Sequence, residues 1–503
     1  MINVLSYLEQ SARRVPDKCV FADPDRAVSY AAFLGTAKAV GTALSVVFRP
    51  NEAIPVFLPK SVDTLEAFFG SVYAGCFYCQ LDMRLPTERL LRIISILGPR
   101  AIVTARAFEE KIREMNYTGD LLFLEDLRAV PADEDRLAKI RAAAIDTDPL
   151  YCNFTSGSTG TPKGVLVSHR SVIDFIDCFT EIFHITENDV IGNQAPFDFD
   201  VSVKDIYSTL KTGATMQIIP TRYFSVPAEL LDYLCERHVT TLIWAVSAVC
   251  LLSRLHGFSY RIPAEVNKVI FSGEVMPVKQ LGIWREALPD AVFANVYGPT
   301  EITCNCTYYI VDRDFAPGET LPMGKPFPNE RVFLLDAEDR LIPDAALPPE
   351  PRTGEVCVAG TALALGYLGD AAATACVFTQ NPLNPHYPER IYRTGDLAYY
   401  DAAGDLVFAG RKDFQIKHMG HRIELGEIEA AMDSLPEIGR AVCLFRNDKI
   451  CAFYTGDIEK AALSAALKKR LPEYMVPRTF RKLDEIPLNK NGKADRKALE
   501  MML

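Results

Sequence analysis

Three short apolar runs, each closing on a small or polar cluster, constrain this chain more than any other pattern in it. Residues 241–244 run into Ala245, Val246 and Ser247, residues 269–271 into Ser272, Gly273 and Glu274, and residues 292–297 into Gly298, Pro299, Thr300 and Glu301. Runs of this length bounded by turn residues read as buried strands, and strands separated by helix-length segments read as a parallel sheet. Parallel strands bring their C-terminal ends to one edge, where ligands bind, so the three clusters point at one cleft. Residues 4–12 and 64–74 read as apolar-faced helices and residues 53–58 and 77–81 as strands, which extends the helix and strand alternation toward the N-terminus. The expected fold is a layered α/β architecture with mostly parallel sheets.

A second feature supplies the chemistry. Residues 155–164 read TSGSTGTPKG, between an apolar run at 150–154 and a resumed extended stretch at 165–167. Gly157, Gly160 and Gly164 permit tight turns and close approach of backbone to a ligand. Successive N–H groups, the hydroxyls of Thr155, Ser156, Ser158 and Thr159, and the charge of Lys163 suit anionic oxygens. The spacing fits neither GxxxxGK[ST] nor GxGxxG, which disfavours a Walker loop and a dinucleotide fingerprint.

Composition bounds the partners. The chain has 503 residues, 49% hydrophobic and 24% charged, and a formal net charge of −11, which argues against nucleic acid or an anionic membrane as the main partner. Thirteen scattered cysteines suit reduced thiols better than a disulfide framework, and a cytoplasmic location is the expectation. The Cys76 and Cys79 pair lies in an apolar stretch and reads as a core strand. No signal peptide is expected from the first residues, and residues 239–253 are too short to span a bilayer.

Five further stretches then carry a resemblance: NVYGPTE at 295–301, YRTGDL at 392–397, GRKDFQIK at 410–417, GHRIELGEIE at 420–429 and NGK at 491–493. With the loop at 155–164 they stand in the order typical of the adenylate-forming superfamily, which includes acyl-CoA synthetases, luciferases and nonribosomal peptide synthetase adenylation domains. The resemblance covers nearly the whole chain. It implies a large N-terminal multi-layer α/β body with a small β-barrel subdomain over residues 1–409, a hinge at 410–413 containing Asp413, and a small mobile C-terminal α+β lid over 414–503.

The resemblance also implies roles. ATP and Mg²⁺ are the expected cofactors, held by Thr155, Ser156, Gly157, Ser158, Thr159, Gly160, Lys163, Gly273, Glu274, Asn295, Tyr297, Gly298, Asp396 and Arg411. Tyr297 would stack on adenine, Asp396 would accept from the ribose hydroxyls, Thr300 would touch the α-phosphate and Glu301 would hold the metal. Lys493 would bridge the substrate carboxylate and α-phosphate as charge develops there. Asp200, in FDVS, would pair with the α-ammonium of an amino acid, since a buried carboxylate needs a cation. Val201, Lys204, Ile243, Ile270, Ser272, Val296, Cys304 and Asn305 would complete the substrate pocket.

Among members of the superfamily the chain most resembles stand-alone D-alanine–carrier protein ligases, sharing FD-x-SV-x-DIY and GEV-x-P segments. It departs from them at Lys204, where they carry an apolar residue, and at Ser272, where they carry cysteine. A small apolar substrate would leave an inward Lys204 ammonium unpaired. The reading therefore stays divided between D-alanine or another small amino acid and an acidic or polar one, with Lys204 facing the pocket, engaged by Asp200 or Asp205, or extending outward to solvent. The implied acceptor is the phosphopantetheine thiol of a carrier protein supplied in trans, with CoA as the alternative.

Overall fold

The computed structural model describes residues 1–157, 161–344, 352–488 and 494–503. Among these, the strands form sheets of nine, seven, six, three and two strands. The nine-stranded sheet places Val292–Tyr297, Lys268–Ser272, Thr241–Ala245, Val190–Asn193, Thr215–Ile218 and Cys19–Ala22 side by side and parallel. Its register aligns Ala245 with Ser272 and Ser272 with Val296, so the three sequence clusters do end at one edge.

The seven-stranded sheet is parallel through Asp120–Phe123, Ala101–Thr104, Ala53–Phe57, Phe77–Gln80 and Pro149–Thr155, and then antiparallel through Lys163–Ser168 and Gly366–Tyr367. Pro149–Thr155 and Lys163–Ser168 make a hairpin, which puts the glycine-rich loop at its tip. Both large sheets contribute to one apolar core, including Phe21, Met216 and Ile243 from the first and Ile54, Tyr78 and Tyr151 from the second. Cys76 and Cys79 are buried free thiols, and Cys79 lies in strand Phe77–Gln80.

The longest apolar helix is Tyr30–Val47, which has the length and composition of a membrane span, yet Tyr30, Phe33, Ala37 and Val40 are buried in that core. It crosses helix Val62–Tyr73 at a pair of glycines. A Cβ on Gly41 would stand 2.4 Å from the Tyr73 Cβ, and one on Gly70 would stand 2.3 Å from the Val40 Cγ1. Only glycine permits this approach without displacing a neighbour.

The six-stranded sheet, from Glu330–Leu335 to Leu406–Arg411, is antiparallel throughout and corresponds to the small β subdomain. Beyond it, the hairpin Gln415–His418 and His421–Glu424 leads into helix Leu425–Asp433 and the sheet of Ile438–Arg446, Lys449–Gly456 and Thr479–Lys482. This C-terminal part has its own core of Ile423, Ile428, Met432, Ala452, Leu463 and Leu467. The helical spacing of its apolar residues is what builds that core.

A candidate adenylate site at the seam between body and lid

A cavity of about 740 Å³ lies between the body and the C-terminal part, within the size range of small-molecule sites. From the body it is lined by Gly273, Glu274, Asn295, Val296, Tyr297, Asp396 and Arg411, and from the lid by residues including Lys417, Phe445 and Arg446. A second cavity of about 110 Å³ is lined by Thr155, Ser156, Asp200, Val201, Ser272, Gly298, Thr300, Cys304 and Asn305. The two share Gly273, Asp396, Arg411, Gln415 and Lys417, so they adjoin.

Tyr297 ends a parallel strand, and its hydroxyl donates to Asp396 Oδ2 at 2.5 Å. Arg411 Nη1 donates to the other oxygen, Oδ1, at 2.5 Å, while its Nε and Nη2 donate to Asp413 at 2.7 and 2.8 Å. One guanidinium therefore ties the acid on the body to Asp413 in the connecting segment. Burial opposes its charge, but the two carboxylates outweigh burial and raise the pKa. From the lid, Lys417 Nζ stands 5.5 Å from the centre of the Tyr297 ring. Burial lowers the Lys417 pKa.

Glu301 sits in the short turn after the strand and is buried. Arg422 Nη1 donates to its two oxygens at 3.0 and 2.8 Å, and Tyr367 OH donates to Oε1 at 2.7 Å. Burial alone would raise this carboxyl, but the Arg422 charge and the hydrogen bonds prevail, and the net direction is down. Glu301 is thus a fixed anion, the right donor for a hard cation. No cluster of three or more metal-ligating side chains occurs among the described residues, so a magnesium ion here would depend on phosphate oxygens for most of its shell.

Around the glycine-rich loop, Thr155 pairs with Lys163 across the hairpin, and Lys163 Nζ stands 5.1 Å from the Tyr367 ring centre. A Cβ on Gly157 would meet the Thr161 carbonyl at 2.1 Å, and one on Gly298 would meet the Asn305 Cα at 2.5 Å. The Ser156 hydroxyl is turned to the lid, donating to the Arg422 carbonyl at 2.8 Å and accepting from Glu424 N at 3.2 Å. Glu274 accepts from Gly420 N at 2.7 Å, a further body-to-lid bond. Asn295 lines the larger cavity while its amide donates to the Pro322 carbonyl at 2.8 Å. Ser158, Thr159, Gly160 and Lys493 lie outside the described residues.

In the smaller cavity, Asp200 precedes helix Val201–Thr212, and its carboxyl is raised by burial against the opposing hydrogen bond from Thr300 and the charge of Lys204. Lys204 is 1% exposed and points inward, donating to Asn305 Oδ1 at 2.8 Å and Ser272 Oγ at 3.3 Å. Cys304, at a φ of 74°, donates through Sγ to the Asp200 carbonyl at 3.0 Å. Ile243 and Ile270 are not on this wall. Strand register sets them two residues short of Ala245 and Ser272, and both are buried in the body core. Val296 lines the larger cavity instead.

Several residues at the site were not singled out from the sequence. Lys417 and Arg422 fall within quoted motifs, so the signal was present. Tyr367, Arg89 and Tyr474 carried no local pattern. His421 stacks on Tyr474 with ring centres 3.6 Å apart and meets Phe199 edge-on at 4.8 Å. Arg89, on a body helix, forms a buried ion pair with Glu427 of the lid.

Two cavities thus adjoin at the seam, one with an aromatic ring, a buried acid and an arginine and the other with a part-buried acid beside a glycine-rich loop. The profile described as "AMP-binding enzyme" matches residues 8–368, and the chain belongs to that family of adenylate-forming enzymes. It is 30% identical to tyrocidine synthase 1 of Brevibacillus parabrevis over 99% of its own length, and it spans 45% of that relative. Its fold matches holo-PA1221, a nonribosomal peptide synthetase protein containing adenylation and PCP domains, with a TM-score of 0.85, 24% identity, and coverage of 100% of this chain and 84% of that one. The adenylation domain AlmE of Vibrio cholerae, solved with glycyl-adenosine-5′-phosphate, matches with a TM-score of 0.85, 20% identity, and coverage of 100% and 98%.

Proposed function

We propose that the chain activates an amino acid with ATP and passes it to the phosphopantetheine thiol of a separate carrier protein. The observation that carries this reading is Asp200, a part-buried carboxylate with no arginine ion pair among the described residues, facing the small cavity one step from the Tyr297–Asp396–Arg411 group. A buried anion needs a cation, and the α-ammonium of an amino acid supplies one where a fatty acid would not. With the ammonium on Asp200, the substrate carboxylate lies toward Thr300 and the glycine-rich loop.

In the first step a carboxylate oxygen attacks the α-phosphorus, the acyl phosphate bond forms, and pyrophosphate leaves. Tyr297 provides an apolar face for adenine and Asp396 an acceptor for ribose hydroxyls. Magnesium, with Glu301 as the protein's oxygen ligand, would neutralise phosphate charge. Lys493 is assigned the ammonium that stabilises charge in this step. In the second step a thiolate attacks the acyl carbon and AMP leaves. This step requires the Lys493 segment to make way, the role given to the hinge around Asp413. The adenylation and PCP pairing in holo-PA1221 supports a carrier protein as acceptor.

The test is ATP–pyrophosphate exchange by the purified protein. Exchange driven by an amino acid, lost in Lys493→Ala with unchanged thermal unfolding, is expected. Exchange driven only by fatty or aromatic acids would overturn the reading, and consumption of CoA in place of loading a holo carrier would overturn the acceptor.

A further inference from the structure

Resting on the amino-acid reading above, we infer that the substrate is a short dicarboxylic amino acid, whose side-chain carboxylate is received by Lys204 together with Asn305 and Ser272. Lys204 follows Asp200, the residue that precedes helix Val201–Thr212, by four positions, about one turn or roughly 6 Å along the axis. Long side chains on helices lean toward the N-terminus, which brings the ammonium back toward Asp200, behind the cavity wall that Asn305 and Ser272 form. Its two acceptors, Asn305 Oδ1 at 2.8 Å and Ser272 Oγ at 3.3 Å, belong to residues that line that cavity. Both acceptors are neutral, and neither Asp200 nor Asp205 reaches an ion-pair distance to it.

The charges around the cavity make the case. Lys204 and Asp205 are buried, and the part-buried Asp200 and Lys60 lie within reach of their charges. Asp205 accepts from Asn193 Nδ2 at 2.6 Å, and Lys60 is held by the carbonyls of Asn193, Gln194 and Ile219. Cys304 adds no charge, because burial raises its thiol. Once the substrate's α-ammonium takes Asp200, Lys204 is left a buried cation short of an anion. A side-chain carboxylate restores the balance, whereas an alkyl side chain leaves the ammonium uncompensated and a basic one repels it. A cavity of about 110 Å³, part of it beside the glycine-rich loop, favours a short side chain.

The experiment is amino-acid-dependent ATP–pyrophosphate exchange with D and L aspartate, glutamate, asparagine, glutamine, alanine, glycine and lysine, on the wild type and on Lys204→Gln. Dicarboxylic acids are expected to exceed their amides and alanine by about a hundredfold or more in kcat/KM, mostly through KM. In Lys204→Gln this preference should fall by a similar factor and move toward the amides. Asn305→Ala provides a second variant with the charge intact, and it should raise KM for the dicarboxylic acid alone. Because the wild-type panel needs no variant, it decides even if Lys204→Gln fails to fold. Preferred exchange with alanine, glycine or any uncharged amino acid overturns the inference and leaves the amino-acid reading standing. Exchange with none of the amino acids, but with a fatty or aromatic acid, defeats both.

Discussion

Arg422 of the lid hairpin donates through one nitrogen to both oxygens of Glu301 on the body, 121 residues away in sequence, at 3.0 and 2.8 Å. The pair joins two parts that each have a core of their own, with Glu301 buried and the Arg422 side chain 20% exposed. Removing one partner of a buried pair leaves the other uncompensated, at a cost of about 3–5 kcal/mol. Arg422→Ala should therefore loosen the lid on the body by roughly that amount. Denaturant unfolding, with a fluorescent reporter on each part, should show the lid transition moving while the body transition stays.

Asp396 accepts from Tyr297 and Arg411 at once and is nearly fully buried. Asp396→Asn keeps the shape and removes the charge that would receive ribose hydroxyls. Loss of a hydrogen bond to a charged group is worth about 1.5–3 kcal/mol. The KM for ATP in exchange should rise by about ten- to a hundredfold, while the KM for the amino acid stays within about twofold.

His421 sets a pH dependence. Burial and the Arg84 charge lower its pKa from the ordinary 6.5 to about 4, with Asp82 opposing and His418 adding to the effect. Tyr474, Phe199 and Asp198 complete its surroundings. A histidine depressed in the docked state takes up a proton on release. Docking is therefore at full strength above pH 6.5 and weakens as pH falls toward 4, by at most about 3 kcal/mol. Amide exchange across residues 415–424 should accelerate between pH 7 and 5 after correction for intrinsic rates. His421→Phe, which keeps the stack and cannot titrate, should abolish that acceleration.

The Arg89–Glu427 pair is a second buried link between the parts, and Glu427 Oε2 has no hydrogen-bond partner. Arg89→Met alone should destabilise docking by about 3–5 kcal/mol, and so should Glu427→Met. Together they should cost much less than the sum, since two apolar groups leave no buried charge. A double-mutant cycle on protease susceptibility of the connecting segment checks this.

Local chemistry made much of the architecture legible. The three apolar runs at 241–244, 269–271 and 292–297 became adjacent parallel strands because strand ends, turn residues and helix-length gaps are all short-range signals. What stayed hidden depends on pairing between distant segments. Ser156 looked free for phosphate but bonds the lid, and Glu301 looked free for a metal but meets Arg422. The depth of Ile243 and Ile270, two residues below the strand ends and buried, follows from register and not from the linear sequence. Lys204 could be read either way, because its bonds are to Asn305 and Ser272, 101 and 68 positions away.

The most direct measurement is a crystal structure of the protein grown with AMP and its amino acid. The account predicts adenine against Tyr297, ribose hydroxyls on Asp396, the α-phosphate beside Thr300, and the amino group on Asp200. Nucleotide bound anywhere other than the seam lined by Tyr297 and Asp396 would contradict it.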